Sequence, residues 1–433
     1  MIAYAREVGY QTLCRIELKS ARSDDALSSQ AVSSLEVRDR NLVTEIVYGT
    51  LRWRGWLDYI LQSSLSRPWD SLDPKLAILL RMSLYQISRM DRVPAHAVVN
   101  DAVELAKKKA RNGSAGFVNG VLRSLLRKRP WSGSAFHRDC PMWVRVSLPQ
   151  WLWERWEGRF GTDRAFEYAI SLNRPPQTAV RRTGRSFSRV DKPIDQSTAR
   201  ASELVPGAFL VDAGEQSTHD ASRQAMDEAS QLIPHLFGAI DGARVWDACA
   251  GPGGKTAILH DRCGPCGLVV SSDLDPARMS LLRGRLECFG LGRTDVLVAD
   301  AQRPFPFRKK FDAILADVPC SGLGTLRRNP EIKWRMHPVH LQKQSIKQKQ
   351  ILDSVAGAVR IGGMLLYSTC STEPEENEIV VAGFLAAHPE FQLQRPAFPA
   401  GIEPWLDLNG LFRSFPDGRL WDGFFAALML RAA

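Results

Sequence analysis

From residue 243 onward, the sequence alternates short apolar segments with stretches that are long enough to form a helix. Apolar strands separated by helices are typical of a parallel sheet that is covered by helices on both faces. The sequence therefore predicts an α/β fold for this region. The five predicted strands are 244–247, 268–273, 295–300, 311–317 and 363–370.

Several of these strands end in an acidic residue or a cysteine. Asp273, Asp300 and Asp317 each end a strand, and Cys370 ends another. The carboxyl ends of parallel strands meet at one edge of a sheet, which is where open α/β sheets bind their ligands. We therefore expect these four side chains to border one site.

A glycine-rich turn follows the first predicted strand and leads into a helix. Small residues such as Gly251 and Gly253 let the backbone approach a ligand closely. A phosphate-binding loop would need glycine where Cys249 stands, and the dinucleotide pattern would need glycine at Thr256. The turn therefore favours a nucleoside cofactor without phosphates, and S-adenosylmethionine suits it better than NAD.

The acids after the turn fit such a cofactor. Asp273 can accept hydrogen bonds from both ribose hydroxyls, and Asp300 would lie near an adenine. The alternative interpretation of Asp273 is a capping residue for the helix that follows it.

Two cysteines lie at the carboxyl ends of two consecutive predicted strands. Cys320 comes just after the strand at 311–317, and Cys370 ends the strand at 363–370. A single cysteine is more often an inert core residue, but two at adjacent strand ends would face one cleft. Spacing does not decide which sulfur would be the nucleophile.

The chain before this region divides into two further parts. Apolar residues recur at three- and four-residue steps in 41–51, 76–87, 99–106 and 118–126, which predicts a helical bundle. Residues 151–160 predict another helix, and short strands at 179–181 and 208–211 predict a small α/β connector. The predicted domains are 1–130, 131–236 and 237–433.

The charge balance favours a polyanionic partner. The chain has 57 Lys and Arg against 47 Asp and Glu, a net charge of +10. Two basic clusters of the helical part, at 107–111 and 123–129, are either an RNA-backbone footprint or solvated helix ends. No segment reaches the length of a membrane span and the start lacks a signal-peptide core, so we expect a cytoplasmic protein.

The remaining cysteines point to no disulfide framework and no metal. Thiols stay reduced in the cytoplasm. Cys263 and Cys266 have the spacing of half a zinc site, but no second ligand pair follows, and we interpret the segment as a loop.

Taken together, four segments resemble the RNA cytosine-C5 methyltransferase family. They are 247–256, 317–322, 327–334 and 367–378, the last of which contains Tyr-Ser-Thr-Cys-Ser. Segments 47–53, 93–100 and 116–123 resemble the NusB-like RNA-binding domain of the branch that acts on small-subunit ribosomal RNA. The likeness extends over nearly the whole chain. It implies a Rossmann-like methyltransferase sheet, an all-α NusB-like bundle, and a monomer acting on 16S ribosomal RNA, free or partly assembled.

The resemblance also implies roles for individual residues. Cys370 would be the nucleophile, Cys320 would assist release of the methylated product, and Asp317 would lie near the reacting centre. DNA cytosine-C5 methyltransferases use the cysteine after proline, here Cys320, which is the mechanistic alternative. The implied residues of the S-adenosylmethionine pocket are Cys249, Ala250, Gly251, Pro252, Gly253, Gly254, Lys255, Asp273, Asp300 and Asp317.

The implied chemistry explains why a cysteine is needed. C5 of cytosine is a poor nucleophile until a thiolate adds to C6. A free thiol is only a few per cent ionised at pH 7, so the site must favour the thiolate through nearby positive charge or dipoles. Asp317 could stabilise charge at the N3/N4 edge of the base.

The chain departs from the family pattern at three places. Met226 stands where the family has glutamine, Gly251 stands where it has alanine, and the C-terminal segment 422–428 lacks the usual lysine nearby. None of these departures affects the cysteines, but they bear on which cytosine is the target. Transfer RNA as the substrate, or a non-catalytic role in ribosome assembly, are the alternatives.

Overall fold

The computed structural model describes residues 3–65, 68–109, 113–133, 139–182, 199–211, 223–291, 294–304, 307–415 and 421–432. The chain divides into two compact units. Unit 1 comprises Met1–Pro175 and Leu326–Arg335, and unit 2 comprises Pro176–Thr325 and Met336–Ala433. Within the described ranges, no helix has both the length and the apolar character needed to cross a membrane.

Unit 1 is built from helices. They are α1 (Tyr4–Lys19), α2 (Ser23–Leu27), α3 (Gln30–Ser33), α4 (Val37–Arg52), α5 (Arg54–Ser63), α6 (Pro74–Arg89), α7 (Ala95–Lys109), α8 (Ser114–Lys128), α9 (Met142–Arg145), α10 (Gln150–Phe160) and α11 (Thr162–Ser171). The predicted helices at 41–51, 76–87, 99–106, 118–126 and 151–160 lie within α4, α6, α7, α8 and α10, so these predictions are confirmed.

The apolar periodicity of these helices produces one shared core. Leu13, Ile46, Leu57, Leu80 and Leu122, each from a different helix, are completely buried in it. Because each apolar residue recurs after three or four positions, one face of every helix packs inward. Burial of that face, rather than helix propensity, stabilises the bundle.

Three lysines of the predicted basic cluster at 107–111 lie at a helix end. Lys107, Lys108 and Lys109 form the last turn of α7, where positive charge is favourable. Lys107 Nζ lies 2.5 Å from a Glu104 oxygen and Lys109 Nζ lies 3.4 Å from a Glu7 oxygen. Arg111, part of the same predicted cluster, lies outside the described residues. Helix-end stabilisation and ion pairing thus account for the described lysines without RNA.

The decapeptide Leu326–Arg335 belongs to unit 1 although it lies far from the other helices in sequence. Its last residues form α15 (Ile332–Arg335). Trp334 Nε1 donates to the Leu51 carbonyl at 2.8 Å, and Arg335 donates to the Ile16 carbonyl at 2.6 Å. The predicted domain 237–433 contains this decapeptide, whereas the structure places it in unit 1. A sequence motif contains no information about which helices a segment contacts.

Unit 2 contains a large mixed sheet. Its strands are β5 (Arg244–Asp247), β6 (Leu268–Asp273), β7 (Thr294–Val298), β8 (Phe311–Asp317), β9 (Val359–Thr369), β10 (Phe391–Leu393), β11 (Phe412–Arg413) and β12 (Phe425–Arg431). The order is β10-β12-β9-β8-β5-β6-β7, with β11 beside β12.

Strands β5 to β9 pair in parallel, as the sequence predicts, and the predicted α/β fold class is confirmed. The antiparallel strands β10, β11 and β12 were not predicted. They extend the sheet beyond β9, and β12 covers the edge of β9 over six residue pairs.

Helices and a smaller sheet complete unit 2. The helices are α12 (Glu228–Leu232), α13 (Gly254–Cys263), α14 (Pro276–Cys288), α16 (Pro338–Ala356) and α17 (Glu378–Ala387). The connector forms an antiparallel sheet of order β2-β3-β1-β4, from β1 (Thr178–Arg182), β2 (Ala199–Ala201), β3 (Ala208–Val211) and β4 (Arg223–Ala225). Cys263 ends α13 with its thiol buried, and Cys266 is exposed in the following turn.

Candidate active site

The site lies at the carboxyl edge of the parallel strands. In the order β9-β8-β5-β6, neighbouring strands end with Thr369, Asp317, Asp247 and Asp273, and Cys370 follows Thr369 directly. Because the strands are parallel, these residues meet at one edge. Asp317, Cys370 and Asp273, three of the four predicted strand ends, thus lie along this edge, whereas Asp300 follows the outermost strand β7.

The glycine turn connects β5 to α13. Gly253 has φ of +99° and caps α13 in the left-handed conformation that glycine tolerates best. The Gly251 amide donates to Asp273 Oδ2 at 3.0 Å, and a Cβ on Gly251 would lie only 2.7 Å from that oxygen. The turn thus lies directly against the end of β6.

A cavity of about 280 Å³ opens beside this turn. Its lining comprises Gln224, Ala225, Met226, Ser230, Asp247, Cys249, Ala250, Gly251, Pro252, Gly254, Lys255, Arg285 and Asp317. Most of the predicted cofactor residues lie in this lining. Gly253, Asp273 and Asp300 are outside the lining that the described residues form. Gly253 packs on Leu282, and Asp273 contacts the turn through Gly251.

Asp300 follows β7 at the far end of this row of strands. Its Oδ1 accepts hydrogen bonds from the Gln302 amide at 3.0 Å and from the Gln302 side chain at 3.3 Å. The carboxylate thus orders the turn that follows it. Its role toward an adenine remains a prediction.

Several lining residues were not predicted. Gln224, Ala225 and Met226 come from β4 and the chain after it, and Ser230 comes from α12. A Cβ on Gly254 would lie 2.7 Å from Met226 Sδ, so the connector packs tightly over the glycine turn. In the sequence, the only sign that this segment borders the site was the departure from the family pattern at Met226. No sequence pattern predicts that the connector packs over the glycine turn.

Asp247 was also missed. It is 1% exposed, and its Oδ2 accepts a hydrogen bond from Thr256 at 2.7 Å. Its Oδ1 is buried without a hydrogen-bond partner among the described residues. Burial raises the pKa of Asp247 to about 7, partly opposed by the Thr256 hydrogen bond. A buried carboxylate oxygen with no partner, in a cavity wall, suits a ligand that carries positive charge.

Lys255 links the cavity to the reactive end of the sheet. Its Nζ donates to Asp317 Oδ2 at 2.7 Å, and Ser368 Oγ donates to Asp317 Oδ1 at 2.6 Å. Burial alone would lower the pKa of Lys255, but the carboxylate of Asp317 and the sulfur of Cys370 raise it. Lys255 therefore stays charged beside both groups.

The two cysteines lie side by side. Cys320 Sγ and Cys370 Sγ are 3.2 Å apart, each in the loop after its strand. The hydrogen bond between the two cysteine side chains and burial raise the pKa of Cys320 well above its ordinary value. Cys320 therefore remains a thiol at neutral pH, in contact with the sulfur of Cys370.

The arrangement suits nucleophilic chemistry on a ligand that enters beside the cavity. It combines a sulfur pair, a carboxylate and a buried ammonium group within one strand edge. Among the described residues, no group of three or more His, Cys, Asp or Glu side chains could hold a metal ion.

Comparison with known families agrees with this geometry. The family model described as "16S rRNA methyltransferase RsmB/F" matches residues 236–430, and the model described as "NusB family" matches residues 3–127. The first match contains the glycine turn and both cysteines of the sulfur pair, and the second contains α1 to α7 and all of α8 except its last residue.

Similar proteins and structures extend over almost the whole chain. A probable ribosomal RNA small subunit methyltransferase B of Bacillus subtilis is 31% identical over 98% of both chains. The ribosomal RNA small subunit methyltransferase B of Thermus thermophilus is 35% identical, covering 91% of this chain and 89% of its own. The crystal structure of PH0851 covers 99% of both chains with a TM-score of 0.82 and 25% identity. The chain therefore belongs to the RsmB/F family of 16S rRNA methyltransferases.

Proposed function

We propose that this protein transfers a methyl group from S-adenosylmethionine to C5 of a cytosine in 16S ribosomal RNA, with Cys370 as the covalent nucleophile. The observation that carries this proposal is the 3.2 Å approach of the Cys320 and Cys370 sulfurs beside Asp317 and the cofactor cavity. The names of the Bacillus and Thermus relatives support small-subunit ribosomal RNA as the substrate.

The cavity fits S-adenosylmethionine. The unpartnered oxygen of Asp247 suits the positive charges of that molecule, and Arg285, also in the lining, offers a positive charge to its carboxylate. Asp273, held by the Gly251 amide, borders the turn where a ribose would bind. When bound, the cofactor supplies an electrophilic methyl group on a sulfonium.

Cys370 performs the first chemical step. Its thiolate would bond to C6 of the cytosine, and the C5–C6 electron pair would bond the methyl carbon at C5 while the bond from that carbon to the cofactor sulfur breaks, which leaves S-adenosylhomocysteine. The Lys255 ammonium group lies close enough to Cys370 for a charge interaction, and a nucleophilic sulfur needs positive charge nearby. Asp317, fixed by Lys255 and Ser368, accepts a hydrogen bond from the amino group of the base.

The second step frees the enzyme. A base takes up the C5 proton, the electron pair of the C5–H bond restores the C5–C6 double bond, and the bond from C6 to Cys370 breaks with its electrons returning to sulfur. Cys320 lies next to the sulfur that must depart and assists this release. In the alternative assignment, Cys320 would attack first. The two assignments differ in which cysteine variant abolishes methyl transfer.

The proposal is tested by methyl transfer from labelled S-adenosylmethionine to unmethylated small-subunit RNA. Cys370→Ala is expected to abolish transfer, and Cys320→Ala is expected to accumulate a protein–RNA adduct that survives denaturation. Cys288→Ala, which changes an exposed thiol elsewhere in unit 2, is the matched control and should behave as wild type.

Methyl transfer at the wild-type rate by the Cys370→Ala variant would exclude Cys370 as the nucleophile. Absence of any adduct with Cys320→Ala would exclude the release role. Labelling of transfer RNA but not of small-subunit RNA would reject the proposed substrate.

A further inference from the structure

One carboxylate joins the two loops that carry the cysteines. Glu376 is completely buried, and its oxygens accept hydrogen bonds from both loops. The Ser321 amide donates at 2.7 Å and the Ser321 hydroxyl at 2.5 Å. From the other loop, the Ser371 hydroxyl donates at 2.5 Å. Each of these serines directly follows a cysteine of the sulfur pair.

Further contacts hold Glu376 and the loops in one arrangement. Gln348 Nε2 of α16 donates to the Glu376 carboxylate at 3.1 Å and to the Pro319 carbonyl at 3.1 Å. The Gly324 amide donates to the Cys370 carbonyl at 2.9 Å, which connects the loops a second time. Asn377, next to Glu376, donates to the Ser371 carbonyl at 2.9 Å.

A carboxylate is an unusual choice for a purely structural contact at such depth. Burial disfavours its charge and raises the pKa of Glu376, while the hydrogen bonds from Ser321 and Ser371 oppose that rise. Retaining a charged group in the interior requires that its oxygens be satisfied. Here the donors that satisfy it are the residues adjacent to the two sulfurs.

The reaction proposed above makes a specific demand on these loops. The sulfur of Cys370 must reach C6 of the cytosine. Cys320 must remain beside the Cys370 sulfur when the bond from that sulfur to C6 breaks. A relative shift of the loops by about 1 Å is enough to impair such chemistry. The two sulfurs lie on separate strands, so a bridge between the loops has to maintain their separation.

We propose that Glu376 is a positioning residue whose carboxylate holds the Cys320 and Cys370 loops in register for attack and release. This inference rests on the proposed function. The hydrogen bonds of the Glu376 carboxylate go to Ser321, Ser371 and Gln348 and not to either sulfur. Glu376 therefore acts on the cysteines through the serine that follows each of them.

The first test measures the register of the loops without RNA or cofactor. Diamide, a thiol oxidant, converts two adjacent thiols to a disulfide and is itself reduced to the hydrazine. Peptide mapping follows formation of the Cys320–Cys370 disulfide. Glu376→Ala is expected to slow it by at least about tenfold, because the effective concentration of one thiol at the other falls. Glu376→Gln, which keeps the size and one acceptor oxygen, should restore most of the rate.

A matched control separates positioning from loss of a buried carboxylate. Glu228 is also buried in unit 2, and its carboxylate accepts hydrogen bonds from Ser202 and Trp421. Glu228→Ala should lower the melting temperature but leave the rate of disulfide formation unchanged. If Glu376→Ala does not fold, Ser371→Ala removes the hydrogen bond from the Cys370 loop and should slow the disulfide, whereas Ser321→Ala removes only the hydroxyl bond, keeps the amide bond and should slow it less.

The second test measures catalysis. Glu376→Ala should lower kcat more than it raises KM and should accumulate the protein–RNA adduct, since release needs both sulfurs in place. Wild-type disulfide formation in Glu376→Ala would overturn the inference. Methyl transfer that persists in Cys370→Ala would overturn the proposed function instead, and the disulfide measurement would still report on the bridge.

Discussion

At the scale of single residues, Lys255 illustrates how a side chain gains a role from its partners. The sequence predicts it only as part of the cofactor turn. In the structure its ammonium group pairs with Asp317 and lies close enough to Cys370 for a charge interaction. A thiolate needs such a positive charge nearby, and the resemblance alone did not identify its source.

Asp247 leads to a prediction on pH dependence. Because burial raises its pKa to about 7, Asp247 is largely neutral at pH 6 and largely ionised at pH 8. Ionised Asp247 attracts a cationic ligand. We therefore expect the Kd for S-adenosylmethionine to fall as pH rises from 6 to 8, by at most about tenfold per pH unit for one coupled proton. Isothermal titration calorimetry measures this dependence.

Asp247→Asn provides the control for that measurement. It keeps the size of the side chain and cannot ionise, so its Kd should vary less with pH. S-adenosylhomocysteine lacks the sulfonium charge and should show a weaker dependence with the wild-type protein. An equal pH dependence in Asp247→Asn and wild type would contradict the assignment.

At the scale of elements, the glycine turn and the start of α14 depend on each other. Asp275 caps α14 by accepting from the Ala277 amide at 2.8 Å, and Pro276 occupies the first turn. The Asp275 amide in turn donates to Asp273 Oδ1 at 3.0 Å. Asp273 therefore connects the glycine turn to the helix start. The residue that caps α14 is Asp275 and not Asp273.

Gly253→Ala is expected to weaken cofactor binding by about tenfold or more, equivalent to about 1.4 kcal/mol. Its φ of +99° strains any other residue, and the added Cβ would lie 3.0 Å from Leu282 Cγ of α14, so the turn must move. Equilibrium binding of labelled S-adenosylmethionine measures the effect.

Gly284→Ala is the matched control for this substitution. Gly284 lies in the middle of α14, and a Cβ there meets nothing within 4 Å. Alanine is favoured over glycine in a helix by about 1 kcal/mol, so this variant should gain stability and bind the cofactor as wild type does. Equal affinities of the Gly253→Ala and Gly284→Ala variants would show that the turn tolerates a side chain.

At the scale of the whole molecule, the chain leaves unit 2 after Thr325 and returns to it at Met336. Within unit 1, Glu331 Oε1 accepts from the Ser23 amide and the Ser23 hydroxyl, both at 3.0 Å. Lys333 is 1% exposed, and its Nζ donates to the Arg52 carbonyl at 2.7 Å. The decapeptide Leu326–Arg335 is thus an integral part of the helical unit.

Lys333 predicts a stability that depends on pH. Burial lowers the pKa of Lys333 well below its ordinary value. Unfolding therefore takes up a proton in the window between that lowered pKa and about 10.4. Because the unfolded state binds more protons there, the free energy of unfolding rises with pH, by at most about 1.4 kcal/mol per unit. Urea denaturation of wild type and Lys333→Met at several alkaline pH values measures the difference.

Lys333→Met removes the titrating group and should lose that slope. Lys107→Met changes an exposed lysine that pairs with Glu104, and it should keep the wild-type slope. Identical slopes for wild type and Lys333→Met would mean that Lys333 does not titrate differently on unfolding.

The predicted division into 1–130, 131–236 and 237–433 remains a proposal about folding units. The family models that match 3–127 and 236–430 support boundaries near 130 and 236. The compact units instead place residues up to Pro175 with the helices, because α10 and α11 belong to unit 1. The hydrophobic pattern of α10 identifies a helix but not the unit in which it lies.

The sequence by itself determined the helical N-terminal part, the parallel strands β5 to β9 and the acids and cysteines at their ends. These features depend on local periodicity and on the rule that parallel strands end at one edge of a sheet. Only the tertiary structure decided that Lys255 pairs with Asp317, that Met226 borders the cavity and that Glu376 bridges the cysteine loops. Such contacts join residues that are distant in sequence, and they depend on how the elements pack, which local patterns do not encode.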